Sequence, residues 1–186
     1  MYIRRECEYE RKNMTYLVFS DTHGSAAGMC RIIEQNRRDT AGVIFLGDGM
    51  SDVEKAEKAF PELTFYAVAG NCDVSAKYLG REWQEKLITL EGKKILIMHG
   101  HTRGVKWGME EAVSFARRSG ADVLMFGHTH EAVEEFLPGD IMRRELYVFN
   151  PGSASRPRYG EPSFGRITIQ NGCILLSHGS INRREV

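Results

Sequence analysis

TYLVFSDTHG at residues 15–24 and DVLMFGHTH at residues 122–130 follow one pattern: an apolar run of strand length closes on a small residue, and a carboxylate or imidazole follows at once. Three more runs likewise end in a polar tag, with GVIFL (42–46) before Gly47-Asp48, LTFYAVA (63–69) before Gly70-Asn71 and KILIM (94–98) before His99-Gly100-His101. Short continuous apolar runs bounded by turn residues read as strands buried on both faces. Helical spacing fills the gaps at 25–37 and 51–60, so the first third reads β-α-β-α-β and implies a parallel sheet. In such sheets the ligand crevice lies beyond the carboxyl ends of the strands, and the five polar endings are expected on one rim.

Outward from this frame, KLITL and KKILIMH flank Glu91-Gly92 as a hairpin, and a helix is expected over 107–119 before the strand at 121–126. The last third returns to strands: AVEEFL, RELYVFN, FGRITI and CILLSHG, the final pair joined at Asn171-Gly172. Two mixed β-sheets packed together with helices outside, an α/β architecture, fit this order. No repeat or change of composition marks a second domain, so residues 14–186 read as one unit. Residues 1–13, dense in charges of both signs, read as a solvated or frayed extension, with Met14 as an alternative start.

The chain has 186 residues, 42% hydrophobic and 27% charged, enough for one ordinary core. Its 25 Lys+Arg balance 25 Asp+Glu, which gives no basic field for nucleic acid. There is no bilayer-spanning apolar run and no signal-peptide pattern, so a cytoplasmic location is expected and a membrane partner is not. Cys7, Cys30, Cys72 and Cys173 form no CxxC pair and read as reduced thiols.

Of the six histidines, His23, His99, His101, His128 and His130 fall in the strand endings, and only His178 lies elsewhere. Each ending alone has an ordinary reading as a turn or helix cap. Together, imidazoles and carboxylates closing successive strands have the makeup of an N/O metal site, in which Asp-x-His and His-x-His can turn two donors toward one ion. The seven plausible donors in these endings exceed what one catalytic zinc takes, so two divalent ions linked by a bridging carboxylate are expected. With Asp21 and Asp48 the only anionic ligands, two such ions leave a positive surplus that suits a phosphate ester and its in-line hydrolysis by a metal-activated hydroxide.

The ordered set DTH, GD, GN, HGH and GHTH, followed by NPGS at 150–153, resembles the calcineurin-like metallophosphoesterase superfamily, most of all its small YfcE-type phosphodiesterases. The resemblance spans about residues 14–180 and implies a four-layer αββα sandwich. It also implies that Asp21, His23, Asp48 and His130 hold one ion and that Asp48, Asn71, His99 and His128 hold the other, with Asp48 bridging. Manganese is the metal expected from the resemblance, while the donor set also suits Ni, Zn, Fe or Co. Asp48, Asn71 and His101 are the expected catalytic residues, His101 through an orienting hydrogen bond to phosphate or ligand more than by direct ligation. Larger relatives carry Gly-Asn-His, where the His is thought to protonate the leaving group; here Gly70-Asn71-Cys72 stands in its place, which favours leaving groups of low pKa. Cys72, Arg156 and Arg158 are the expected substrate-binding residues. Asp52 reads as a helix-start carboxylate near the macrodipole, with support of the site as the lesser reading.

The expectation is therefore a phosphodiesterase acting on a small phosphodiester or other phosphate ester, with a homo-oligomer allowed. The competing reading is a protein-binding scaffold on the same fold, as in the retromer subunit of this superfamily, to be signalled by apolar exposure around the C-terminal hairpin. A nuclease would want a basic groove that the balanced charge does not offer.

Overall fold

The structure is a computed structural model and describes residues 14–182; the charged extension at 1–13 lies outside the described residues. In chain order the elements are β1 (Met14–Phe19), α1 (Ala26–Asn36), β2 (Thr40–Phe45), α2 (Met50–Ala59), β3 (Thr64–Ala67), β4 (Glu85–Leu90), β5 (Lys93–Met98), α3 (Glu110–Arg118), β6 (Val123–Met125), β7 (Ala132–Leu137), β8 (Leu146–Pro151), β9 (Ser163–Gln170) and β10 (Cys173–Ser180). One sheet runs β10-β9-β1-β2-β3 and the other β4-β5-β6-β8-β7. Both are mixed: β1, β2 and β3 are parallel in the first sheet, where β9 and β10 add antiparallel pairs on one side, and β5, β6 and β8 are parallel in the second, with antiparallel β4 and β7 at its edges.

The alternation of side chains along a strand explains why the central runs are apolar throughout. In β1, Tyr16 and Val18 enter the layer between the sheets, while Leu17 and Phe19 pack with Met29 and Ile33 of α1. In the second sheet Ile95, Ile97, Val123 and Met125 meet that same middle layer, and Leu96, Met98 and Leu124 meet Ala112 and Ala116 of α3. Two sheets thus lie between α1 and α2 on one side and α3 on the other, the expected four-layer sandwich. Each large apolar side chain so buried contributes about 1.5–3 kcal/mol.

Both hairpins form as expected, because Glu91-Gly92 and Asn171-Gly172 each place two consecutive residues at positive φ, as a type I′ turn requires. The third helix starts later than the expected residue 107. Gly104 sits in the left-handed region and Trp107 N–H closes a turn onto its carbonyl, so residues 101–108 form turns, and the helix begins where Glu110 and Glu111 can face its positive end.

Candidate metal centre

The loops after β1, β2, β3, β5 and β6 meet on one rim, and backbone bonds tie them there. Asp21 N–H donates to Gly47 O at 2.9 Å and His23 N–H to Asp48 O at 2.9 Å in one sheet, and Gly127 N–H to His99 O at 3.2 Å in the other. Asp21, His23, Asp48, His128 and His130 all have φ between 47° and 68°; among the described residues the other two non-glycine residues at positive φ are the hairpin residues Glu91 and Asn171. Left-handed backbone at a non-glycine costs on the order of 1–3 kcal/mol and persists only where the surroundings over-determine it. Here it turns each side chain sharply off its strand end and into the rim.

Two histidines are aimed by backbone carbonyls. His130 Nδ1 donates to Arg156 O at 2.6 Å, and His99 Nδ1 donates to Leu46 O at 2.6 Å. Each bond fixes a tautomer and leaves Nε2 facing the cluster. His130 Nε2 lies 3.2 Å from His23 Nε2 and 3.1 Å from Asp21 Oδ1. His99 Nε2 lies 3.2 Å from Asn71 Oδ1 and 3.5 Å from Asp48 Oδ2. His128 joins this side, its ring 4.9 Å from that of His99 and its N–H on Asp21 Oδ2 at 3.1 Å. The ring of His101 lies 5.4 Å from that of His99. All seven ligands expected from the sequence therefore converge, and His101 stands beside them. Asp21, Asp48 and His99 are buried, whereas Asn71 and Cys72 are exposed at the lip.

Electrostatics divides the imidazoles. Burial, the nearby His99 charge and Lys106 push His128 down to about 4, and burial with His99 lowers His101. Burial also lowers His23, against the pull of Asp21 and Asp48. The Asp21 carboxylate raises His130. Burial opposes the charge on His99, but its contact with Asp48 and the field of both carboxylates outweigh this and raise it. Burial likewise opposes the Asp48 carboxylate, yet His99 and the Cys72 N–H hold its pKa below the usual range. Burial and Asp48 push the Cys72 thiol up to about 11.

The donor set fits divalent metal. Three groups of candidate ligand atoms, Asp21-His23-His130, Asp21-Asp48-His99 and His23-Asp48-Cys72, each lie within 4.8 Å of one another. Asp21 Oδ1 is buried with no hydrogen-bond donor directed at it, although His130 Nε2 is near. A buried carboxylate oxygen left so is costly unless a cation completes it.

Several residues that hold the rim were not assigned to it from sequence. Asp73 accepts the N–H groups of Asp48 and Gly70 on Oδ2 at 2.9 and 2.8 Å, and those of Gly49 and Met50 on Oδ1 at 3.0 and 2.8 Å. Asp52 lies in the first turn of α2, as read from the sequence, and also supports the site: its buried Oδ2 accepts Thr22 Oγ1–H at 2.7 Å and Gly24 N–H at 2.9 Å, anchoring the loop after β1. Asn150 donates to Gly127 O and Thr129 Oγ1, both at 3.0 Å, and Ser153 Oγ–H donates to Asp21 O at 2.8 Å, so the NPGS turn braces two ligand loops. Gly70 has an ordinary φ; glycine is required there because a Cβ would overlap the Asp48 carboxylate. The polar Gly70-Asn71 ending was a signal for the site, but its glycine serves close approach and not the turn.

Beside His128, Thr129 and His130 an open cleft of about 400 Å³ continues between Lys106 and Arg158. Arg158 pairs with Glu131 at 3.3 Å, and its N–H donates to His130 O. Arg156 contributes through its backbone, its carbonyl on His130 and its N–H on Ser153 Oγ, while its side chain is exposed. His178 lies apart, bonded to Asn150 O and stacked on Phe149.

Residues 14–172 match the model of the calcineurin-like phosphoesterase superfamily domain. The chain is 34% identical over 160 residues to a probable metallophosphoesterase, YsnB, of Bacillus subtilis, covering 85% of this chain and 86% of that one. It is 31% identical over 176 residues to the phosphodiesterase YfcE of Escherichia coli K12, covering 83% and 87%. In fold it is similar to a predicted phosphoesterase of Streptococcus pneumoniae, with a TM-score of 0.72 at 22% identity over 93% of this chain and 91% of that one. A sandwich that aims buried carboxylates and imidazoles from five strand ends at one rim, together with these matches, identifies the chain as a member of the calcineurin-like phosphoesterase superfamily and as a metal-dependent phosphoester hydrolase.

Proposed function

We propose that the protein is a binuclear phosphodiesterase that hydrolyses a small phosphodiester or related phosphate ester in the cytoplasm. The observation that carries this reading is the convergence of buried Asp21 and Asp48 with His99 and His130 whose Nδ1 atoms are tied to backbone carbonyls. Asp21, His23, Asp48 and His130 would hold one divalent ion, and Asp48, Asn71, His99 and His128 the other, manganese being the metal expected from the family. When bound, such a pair supplies Lewis acidity at the phosphoryl oxygens and lowers the pKa of water, so that an in-line nucleophile forms near neutrality.

The chain's own residues do the positioning. The Asp48 carboxylate faces His99 at 3.5 Å and His23 at 3.9 Å, the geometry of a group shared between two sites. Asn71 orients its amide against His99 and stands at the solvent edge, where an ester would enter. The imidazole of His101, its Nδ1 buried without a partner, is the group suited to orient a phosphoryl oxygen. Arg156 and Arg158 stand at the lip as binding cations. Cys72 replaces the expected proton donor, so esters with good leaving groups are the preferred substrates.

The scaffold reading gains no specific support. On the C-terminal hairpin Leu175 alone of the large apolar side chains is exposed, among the described residues, and every candidate ligand is a usable donor. Hydrolysis of bis-p-nitrophenyl phosphate and p-nitrophenyl phosphate by metal-stripped protein, titrated with Mn²⁺ and Ni²⁺, tests the proposal. The expected result is metal-dependent cleavage that favours the diester. Asp48→Asn should lose more than the roughly 10–100-fold that removing a partner of a ligand costs, with its circular dichroism unchanged. Full activity in Asp48→Asn overturns the mechanism.

A further inference from the structure

The loop between β5 and α3 carries a cation that the site described above does not use. Lys106 is exposed and lines the cleft that opens from His128 and His130, and among the described residues no carboxylate pairs with it. Its backbone is well held. Val105 is buried, its N–H donates to Gly100 O at 3.3 Å, and Trp107 N–H donates to Gly104 O at 2.8 Å. Arg103, in the same loop, is clamped by Glu85 at 2.6 Å and Glu111 at 3.1 Å and lies over the Phe115 ring. On so anchored a loop the backbone adds little further ordering cost when the ammonium binds, and the side chain's own rotamers are what binding must fix.

The cleft is also larger than one phosphoryl group requires, since about 400 Å³ falls in the range of pockets that hold whole small-molecule ligands. It is lined by His128 and His130, near which the reacting phosphate would sit, and by Lys106 and Arg158, the latter already paired with Glu131. No carboxylate lines it. The open position is therefore one unpaired cation in a cleft without acidic groups.

We propose that Lys106 recognises a second anionic group on the substrate, so that the preferred ester carries on its organic arm a phosphate separate from the one that is cleaved. This rests on the phosphodiesterase reading and adds the substrate class to it. The ammonium donates charge-assisted hydrogen bonds to that second phosphate, and Arg158 adds a weaker, shared contact. A singly charged diester leaves Lys106 without its partner.

The p-nitrophenyl ester of thymidine 5′-phosphate and the same ester phosphorylated at the 3′ oxygen test this, with kcat/KM measured for each in excess Mn²⁺. The wild-type protein is expected to prefer the 3′-phosphorylated ester by about tenfold, the value of one hydrogen bond to a charged group. Lys106→Met should bring the ratio close to one and Lys106→Arg should keep most of it. Calorimetric titration with thymidine 3′,5′-bisphosphate should give about tenfold weaker binding to Lys106→Met than to the wild type. Equal kcat/KM for the two esters in the wild type overturns the proposal, as does a preference that survives in Lys106→Met. An equal loss on both esters in Lys106→Met also overturns it and assigns Lys106 to the reacting phosphate. Cleavage of neither ester, with bis-p-nitrophenyl phosphate also untouched, is the separate failure of the phosphodiesterase reading.

Discussion

Replacing Asp73 by Asn changes one atom and should damage both the fold and the metal centre. Each carboxylate oxygen accepts two backbone N–H groups: Oδ1 those of Gly49 and Met50, Oδ2 those of Asp48 and Gly70. An Asn side chain must turn its NH₂ toward one of these pairs, and flipping the amide only exchanges which pair is faced by a donor. Two hydrogen bonds to a charged acceptor are lost, each contributing about 1.5–3 kcal/mol, and partial exposure of Asp73 lets water recover some of this. A net loss of about 3 kcal/mol is expected, which for a domain of this size lowers Tm by about 6–12 °C. Either pair includes an N–H of the segment Asp48-Gly49-Met50, so the left-handed backbone of Asp48 at φ 60° loses part of what holds it in either orientation. Affinity for Mn²⁺ should therefore fall about 10–100-fold, as it does when the partner of a ligand is removed. Urea unfolding of metal-free protein measures the first effect and calorimetric titration with Mn²⁺ the second. Stability within about 0.5 kcal/mol of wild type, the range of an ordinary surface change, together with unaltered Mn²⁺ affinity, would refute the assignment.

Divalent metal should stabilise the protein, because it relieves the two buried carboxylates crowded at the rim: Mn²⁺ at about 100 times its Kd adds about 2.7 kcal/mol, or about 5–11 °C in Tm, by differential scanning fluorimetry. An unchanged Tm up to millimolar Mn²⁺ would remove the metal centre itself. Asn150→Ala deletes three hydrogen bonds of a fully buried side chain, to Gly127 O, to Thr129 Oγ1 and from Gly152 N–H, and should cost about 2–4 kcal/mol in urea unfolding. Because the first two bonds brace the loop that carries His128 and His130, turnover of bis-p-nitrophenyl phosphate should drop as well; a variant that is destabilised but fully active would confine Asn150 to the fold.

Much of this site can be read from single strands. A run such as TYLVFS followed by Asp-Thr-His states that a buried strand ends in two donors, and five such endings in parallel order leave one place for them to meet. The hairpins at Glu91-Gly92 and Asn171-Gly172 are legible for the same reason, since residue type alone decides which turn is cheap. The start of α3 was less legible, because the WGME stretch at 107–110 has helical spacing and only the turn closed on Gly104 ends it at its observed boundary. Asp73 escaped notice because its partners are backbone N–H groups, and a sequence does not say which of these a fold leaves unpaired.

The sequence by itself determined the layers, the rim and the donor-rich endings that meet there, since these follow from side-chain periodicity and from the polar residues that end each run. Only the tertiary structure decided how those donors are aimed. The carbonyls of Leu46 and Arg156 choose the tautomers of His99 and His130, the carboxylates of Asp73 and Asp52 hold the loops in left-handed turns, and Lys106 lines the cleft. The reason is range. Periodicity is a property of neighbours along the chain, whereas a hydrogen bond from His99 to Leu46, 53 positions away, exists only after the two sheets have packed.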